Sequence, residues 1–123
     1  MEQTTVATTI EIGANAELLA TQLLVDHGYE IVERNYRCTP GELDVVARDG
    51  SILVFVEVRS RADDEHGTAL EMVHSRKQRQ VVRVASWYLI ERAPAYDEIR
   101  FDVVAITAGE AELIKDAFRP GAR

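Results

Sequence analysis

The sequence predicts an α/β sandwich whose elements follow the order α-β-β-β-α-β-β around a small mixed sheet. Residues 41–61 read GELDVVARDGSILVFVEVRSR, two apolar runs separated by Asp49-Gly50. Asp-Gly between alternating apolar runs is the strongest short-range signal for a β-hairpin. A segment with apolar residues at helical spacing stands on each side of this hairpin, and two further strand-like runs follow the second of these segments.

The first helix is expected from about Ile10 to His27. Gly28 follows it, and glycine is the usual residue just beyond a helix C-terminus. The predicted buried stripe consists of Ala16, Leu19, Ala20, Leu23 and Leu24. Glu17 lies at the edge of this stripe, so we expect it to lie near the sheet rather than on the outer side of the helix.

Three strands are expected outside the central hairpin. Residues 29–37 (YEIVERNYR) alternate well enough for a first strand, and the Pro40-Gly41 break separates them from the hairpin. Residues 99–107 predict a fourth strand, and residues 111–117 predict a weaker fifth. With the two strands of the hairpin, the sheet would have five strands.

The second helix should run from about Ser75 to Arg92 and end before Pro94. Its buried stripe is expected to consist of Val81, Val84, Ala85 and Tyr88. Before it, the charged residues 61–67 predict a loop, and residues 68–73 fit either a short apolar turn or the beginning of the helix.

Basic residues take two different positions on the second helix. Lys77 falls four residues before Val81, so it points along the buried stripe toward the core, unless its ammonium group extends back to water. Arg76, Arg79 and Arg83 lie on another face, and no acidic residue occurs between His74 and Tyr88. Such a face is usually solvated, and it can also follow a phosphate backbone.

Composition limits the classes of function. At 123 residues, the chain predicts one domain over residues 10–117, with loosely ordered ends at 1–9 and 118–123. The net charge of −7 argues against a general polyanion binder. No apolar run approaches the ~20 residues of a membrane span, and residues 1–10 do not resemble a signal peptide. A cytoplasmic protein without membrane association is therefore expected, and its single cysteine, Cys38, excludes an intrachain disulfide.

The central hairpin carries carboxylates among apolar residues. Asp44 lies in its first strand and Glu57 in its second, where Phe55, Glu57 and Arg59 share one face. Burying an ionised carboxylate without a partner costs on the order of several kcal/mol. Asp44 and Glu57 would avoid this cost by sharing a divalent metal ion. The alternative is a structural ion pair with Arg59 or Lys77.

Other polar residues favour structural readings. Asp102 lies in an apolar strand, where we expect it to pair with Arg100 or to cap a neighbouring loop. Glu42 follows the Pro-Gly break and is expected to be solvated, or to reach a metal ion through water. His27, His66 and His74 lie far apart without the spacing of metal ligands.

These residues together resemble a known nuclease layout. An acidic residue on a first helix, an aspartate on the second strand and an acid-x-basic pair on the third are typical of PD-(D/E)xK nucleases. The chain closely resembles the YraN-like family of bacterial proteins, which have the restriction-endonuclease-like fold and are similar to archaeal Holliday-junction resolvases. The resemblance covers about Ile10 to Ile114, and its carriers are GANAELLATQLL, GELDVVARDGSILVFVEVRSR, the helix with Lys77, and RFDVVAI.

The resemblance implies roles for individual residues. Asp44 matches the aspartate metal ligand, Glu57 matches the second acidic ligand, and Glu17 matches the acidic residue of the first helix. Arg59 occupies the position of the lysine, which is a departure from the motif. Lys77, the other inward cation, could substitute for that lysine.

The resemblance also implies an activity, namely a metal-dependent endonuclease that hydrolyses DNA, including branched or structured DNA, with Mg²⁺ or Mn²⁺. In this reading the catalytic residues are Asp44, Glu57, Arg59, Glu17 and Lys77, and Arg76, Arg79 and Arg83 contact nucleic acid. The alternative is a catalytically inactive nucleic-acid-binding or protein-interaction module on the same fold. Related resolvases are dimers, so a homodimer is consistent with the resemblance.

Overall fold

A computed structural model describes residues 9–61 and 75–120, with side chains over 15–60 and 75–120. Its elements occur in the predicted order: α1 (Thr9–Asp26), β1 (Glu30–Cys38), β2 (Gly41–Asp49), β3 (Ile52–Arg61), α2 (Ser75–Arg92), β4 (Glu98–Thr107) and β5 (Glu110–Phe118). The α/β class, the two helices and the five strands are therefore confirmed. The predicted loop and the ambiguous segment before α2 lie outside the described residues, apart from Arg61, which ends β3.

The five strands form one mixed sheet in the order β1-β2-β3-β4-β5. Neighbouring strands are antiparallel except for β3 and β4, which are parallel. A parallel pair needs a long crossover connection, because a tight turn can join only antiparallel strands. Here the connection between β3 and β4 includes α2, and that helix lies mainly against β2 and β1.

Each helix covers a different face of the sheet. Val54 and Val56 of β3 pack with Ala20 and Leu24 of α1, whereas Phe55 packs with α2. The residues of α2 at this contact are the predicted Val81, Val84, Ala85 and Tyr88. Because successive side chains of a strand point to opposite faces, Glu57 and Arg59 lie on the same face as Phe55, toward α2.

The predicted apolar stripe of α1 is wrong at one position. Ala20 and Leu24 are fully buried as expected, but Leu19 is 41% exposed. Leu18 and Val25 are also exposed, so α1 has apolar residues around much of its circumference. A pattern of this kind does not show which side of a helix faces the core, and tertiary packing decides it.

The strand β2 changes its alternation at Asp44. Leu43 and Val46, which are three residues apart, both pack on the α2 face, while Val45 packs on the α1 face. The pairing of β2 with β3 also ends here, since the last pair toward Asp44 is Val45 with Val56. The two strands therefore separate at Asp44.

Asn35 lies opposite this irregularity on β1. Its neighbours Arg34 and Tyr36 pair with Val45 and Leu43, so Asn35 faces Asp44 across the two strands. Asn35 has a φ of 57°, a left-handed conformation that asparagine tolerates better than most residues. Both strands are thus distorted at the position of the first candidate carboxylate.

Candidate active site

The separation of β2 from β3 gives Asp44 a partner in β3. Oδ2 of Asp44 accepts a hydrogen bond of 2.8 Å from the backbone N–H of Val58. Glu57 is the residue before Val58, and it is only 2% exposed. The negative charge of Asp44 raises the pKa of the Glu57 carboxyl, so the two carboxylates share one environment.

Two cations flank Glu57 at ion-pair distance. Lys77 Nζ lies 3.5 Å from Glu57 Oε1, and Arg59 Nη2 lies 3.9 Å from the same oxygen. These distances are longer than the ~2.7–2.9 Å of a close charge-assisted hydrogen bond. The other carboxylate oxygen, Oε2, and Nε of Arg59 are buried and have no hydrogen-bond partner among the described residues. A structural ion pair therefore leaves polar atoms on both sides unsatisfied.

Burial determines the protonation of both carboxyl groups. Loss of hydration raises the pKa of Glu57 to about 7, the charge of Asp44 adds to this effect, and Lys77 and Arg59 oppose it. Burial also raises the pKa of Asp44, and the hydrogen bond from Val58 opposes that shift. The cations therefore do not fully compensate the buried negative charge, and further positive charge would be favourable here.

The stability of the metal-free protein should depend on the ionisation of Glu57. Its pKa of about 7 in the folded state exceeds the ordinary glutamate pKa of 4.5, so the folded state binds more protons than the unfolded state between these values. This contribution is fully present below about pH 4.5 and is lost as the pH rises toward 7. Glu57→Gln cannot ionise, so we expect it to be more stable than the parent at pH 8, by up to about 3 kcal/mol.

Urea unfolding at several pH values, in the presence of a chelator, measures this difference. The advantage of Glu57→Gln should shrink as the pH falls from 8 toward 4.5. Glu30→Gln, at an exposed position on β1, is the matched control and should unfold like the parent. Equal stability of Glu57→Gln and the parent at pH 8 would show that the fold already compensates the charge of Glu57.

Glu17 lies beside the two carboxylates rather than between them. Its Oε1 accepts a long hydrogen bond of 3.5 Å from Asn35 Nδ2, and Asn35 faces Asp44 across the β1–β2 ladder. Among the described residues no hydrogen bond or ion pair joins Glu17 to Asp44 or Glu57. Glu17 of α1 therefore contacts the strand residue opposite Asp44 rather than Asp44 itself.

Glu42 lies at the entrance of the site and is partly exposed. It forms a surface ion pair of 2.8 Å with Arg37, and its charge raises the pKa of Asp44. The expectation that Glu42 is solvated agrees with this partial exposure.

Sequence reasoning did not identify Asn35 as part of the site. The available signal was an asparagine inside a strand, where this residue is uncommon.

The arginines of α2 lie outside this cluster. Arg76, Arg79 and Arg83 are exposed, and none forms an ion pair within the described part of the chain. Trp87, one turn beyond Arg83, is 46% exposed. The structure thus separates Lys77, which contacts Glu57, from an outward basic face.

Asp102 has the structural role that was expected. It is fully buried and accepts hydrogen bonds from Arg100 Nε at 2.9 Å and from the hydroxyl group of Tyr29 at 2.6 Å. It also accepts one from the backbone N–H of Asp116 at 2.9 Å. Asp102 therefore joins β4, β5 and the residues before β1, away from Asp44 and Glu57.

Among the described residues, no group of three or more histidine, cysteine, aspartate or glutamate side chains could hold a metal ion. Asp44 and Glu57 form a pair and not such a group. No described helix is long and apolar enough to cross a membrane.

Fold and site together define a mixed α/β protein with a buried pair of carboxylates beside two cations. Comparison with known sequences gives the family. The chain belongs to the uncharacterised protein family UPF0102, whose model matches residues 16–106, and this is the YraN family that the sequence resembles.

Similar proteins occur in several bacteria, and the matches cover most of the length of each relative. The chain is similar to a UPF0102 protein of Moorella thermoacetica, with 46% identity over 86% of this chain and 93% of the relative. It is also 44% identical to a UPF0102 protein of Lachnoclostridium phytofermentans, over 86% of this chain and 91% of the relative.

Proposed function

We propose that this protein is a divalent-metal-dependent nuclease of the restriction-endonuclease-like fold, which hydrolyses phosphodiester bonds in DNA. One observation carries the proposal: Glu57 is buried beside Asp44, yet its Oε2 has no hydrogen-bond partner among the residues that the structure describes. A buried carboxylate oxygen without a donor is costly unless a cation occupies the space next to it. The order of elements and the resemblance to PD-(D/E)xK nucleases support the same proposal.

The donor set fits Mg²⁺ or Mn²⁺. Magnesium is usually held by one or two carboxylates and keeps several of its waters. Asp44 and Glu57 supply the two carboxylates, and the hydrogen bond from Val58 occupies only Oδ2 of Asp44. A divalent cation held there would activate water and neutralise the charge that develops on phosphate oxygens.

The two cationic side chains would act directly on the phosphate and on the attacking water. Nε–H of Arg59 is buried and has no partner in the described part of the chain, so the guanidinium has a donor left for a phosphate oxygen. It cannot act as a base, because a guanidinium stays protonated in proteins. Lys77 approaches Glu57 from α2, where its ammonium group can orient the water or donate a hydrogen bond to the phosphate.

The second candidate is a binding module without turnover. The arginine in place of the motif's lysine favours it, and so does the net charge of −7. In this case Asp44 and Glu57 would be a remnant of an active site, and the exposed Arg76, Arg79 and Arg83 would supply the affinity for nucleic acid. Cleavage distinguishes the two candidates.

The test is a cleavage assay on branched, flap and single-stranded DNA. The parent should cleave at least one of these substrates with Mg²⁺ or Mn²⁺ and stop when the metal is chelated. The same metals should raise its melting temperature, because they bind the folded state. Asp44→Asn should lose both the cleavage and the thermal shift. Absence of binding at millimolar metal in calorimetry would refute the catalytic proposal.

A further inference from the structure

A second concave feature lies on the other side of α2 from Lys77. It is a cavity of about 450 Å³ between α2 and the residues after β5. Its lining includes Ser75, Gln78, Arg79, Val82, Arg83 and Arg119. We call it the arginine cavity. None of its described lining residues is acidic, although the chain as a whole carries a net charge of −7.

Arg79 and Arg83 supply uncompensated positive charge. They are four residues apart on α2 and therefore adjacent on its surface. Like charges at this spacing repel each other, and within the described residues neither arginine forms an ion pair. An anion between the two guanidinium groups would remove this repulsion. The arrangement therefore favours a negatively charged ligand.

The third arginine lies on the opposite wall and forms a surface ion pair with Asp116. Two nitrogen atoms of Arg119 bind Asp116, with Nη2 at 2.6 Å and Nε at 3.1 Å from Oδ2. The backbone N–H of Asp116 in turn binds the buried Asp102. A guanidinium has five N–H donors, so Arg119 keeps donors for a ligand, although Asp116 compensates part of its charge.

We propose that the arginine cavity binds a backbone phosphate of the nucleic acid at a distance from the scissile bond. This inference rests on the proposed nuclease function. Three guanidinium groups suit a phosphodiester, because the planar fork matches phosphate geometry. The volume lies in the range of sites that bind ligands larger than a single phosphate group, which agrees with a segment of a polymer rather than a free anion.

The position of the arginine cavity on α2 indicates the path that a bound nucleic-acid strand would take. Successive helical residues are turned by about 100°, so Arg79 lies roughly 200° around the helix from Lys77. Arg76 lies about 100° from Lys77 on the exposed side. A nucleic-acid strand that extends from Glu57 and Lys77 would cross the outer face of α2 near Arg76 and enter the arginine cavity beyond it.

Alanine variants of the cavity test this assignment by fluorescence anisotropy with labelled DNA, in EDTA so that cleavage does not interfere. Arg79→Ala and Arg83→Ala should each weaken binding by about threefold to tenfold at moderate salt, and each should lower the slope of log affinity against log salt by about one. Arg34→Ala removes the same charge from an exposed position on β1. It is the matched control and should change neither quantity.

A variant with the opposite effect makes the test sharper. Asp116→Asn removes the carboxylate that engages Arg119, and asparagine tolerates the φ of 54° at this position. It should tighten DNA binding by about twofold to fivefold, the inverse of losing one phosphate contact. Asp26→Asn removes an equally exposed charge from α1, so it separates this effect from the change in net charge.

The outcomes separate this inference from the proposed function. If the parent cleaves DNA while Arg79→Ala, Arg83→Ala and Asp116→Asn bind like their controls, the cavity assignment is wrong and the nuclease proposal stands. If the parent neither binds nor cleaves DNA at low salt, the proposed function is wrong and the cavity assignment falls with it. Arginine-dependent binding of inorganic phosphate that does not compete with DNA would also overturn the assignment.

Discussion

Arg59→Ala is expected to slow metal-dependent cleavage by on the order of 10²-fold or more, as removal of one preorganised donor does. Arg59 lies beside Glu57, and its buried Nε–H has no partner within residues 9–61 and 75–120. Its role would be to stabilise charge on the phosphate in the transition state. Because a lysine also supplies a positive donor at this position, Arg59→Lys should retain activity. Single-turnover cleavage rates of the three proteins measure both effects.

The binding-module alternative predicts a different set of results. Arg59→Ala would then weaken DNA affinity modestly and lower the salt slope by about one. No variant would cleave, and Asp44→Asn would bind as well as the parent or better, since it has lost a repelling charge. Glu57→Ala is the control for purity. Cleavage that stays unchanged in both Glu57→Ala and Arg59→Ala would come from a contaminating nuclease.

Asp102→Ala should cause a large loss of stability, about 3–5 kcal/mol, which is typical when one partner of a buried ion pair is removed. The Arg100 side chain is only 14% exposed, and it would lose its buried carboxylate partner and keep Asp49 and the hydroxyl of Tyr29. The hydroxyl of Tyr29 would lose its acceptor, and the backbone N–H of Asp116 would also lose its hydrogen bond. Urea unfolding at neutral pH measures the change in the free energy of unfolding.

Two further variants are controls for the stability measured with Asp102→Ala. Asp26→Ala, at an exposed position on α1, should change stability by less than about 0.5 kcal/mol. Asp102→Asn keeps the shape and one carbonyl acceptor, so its loss should be smaller than that of Asp102→Ala. If Asp102→Ala unfolds like the parent, the hydrogen bonds of this residue do not contribute net stability.

Local patterns were sufficient to predict most of the fold. The α2 stripe was predicted residue by residue because its apolar residues recur at helical spacing and the first half of the helix is basic on the other side. The central hairpin was predicted from its Asp-Gly turn, and β4 from a continuous apolar run. In each case the signal lies within about ten neighbouring residues, which is the range over which periodicity and turn chemistry act.

The features that failed depend on contacts between distant segments. Leu19 was assigned to the core because α1 is apolar on several sides, and only its packing on the sheet reveals the buried one. The distortion that places Asp44 against Val58 arises from the register of three strands. Arg119 lines a cavity together with Arg79 of α2, which lies 40 residues earlier in the sequence. No local pattern predicts that these two residues lie close together.

The parallel pairing of β3 and β4 has a consequence for the order of folding. Asp44, Glu57 and Arg59 lie on one hairpin, whose strands can associate through contacts close in sequence. Lys77 belongs to the crossover between β3 and β4, and non-local pairings of this kind form slowly because a long loop must close first. Glu57 therefore reaches its lysine only when α2 docks on the sheet, after the hairpin that carries the other three residues has formed.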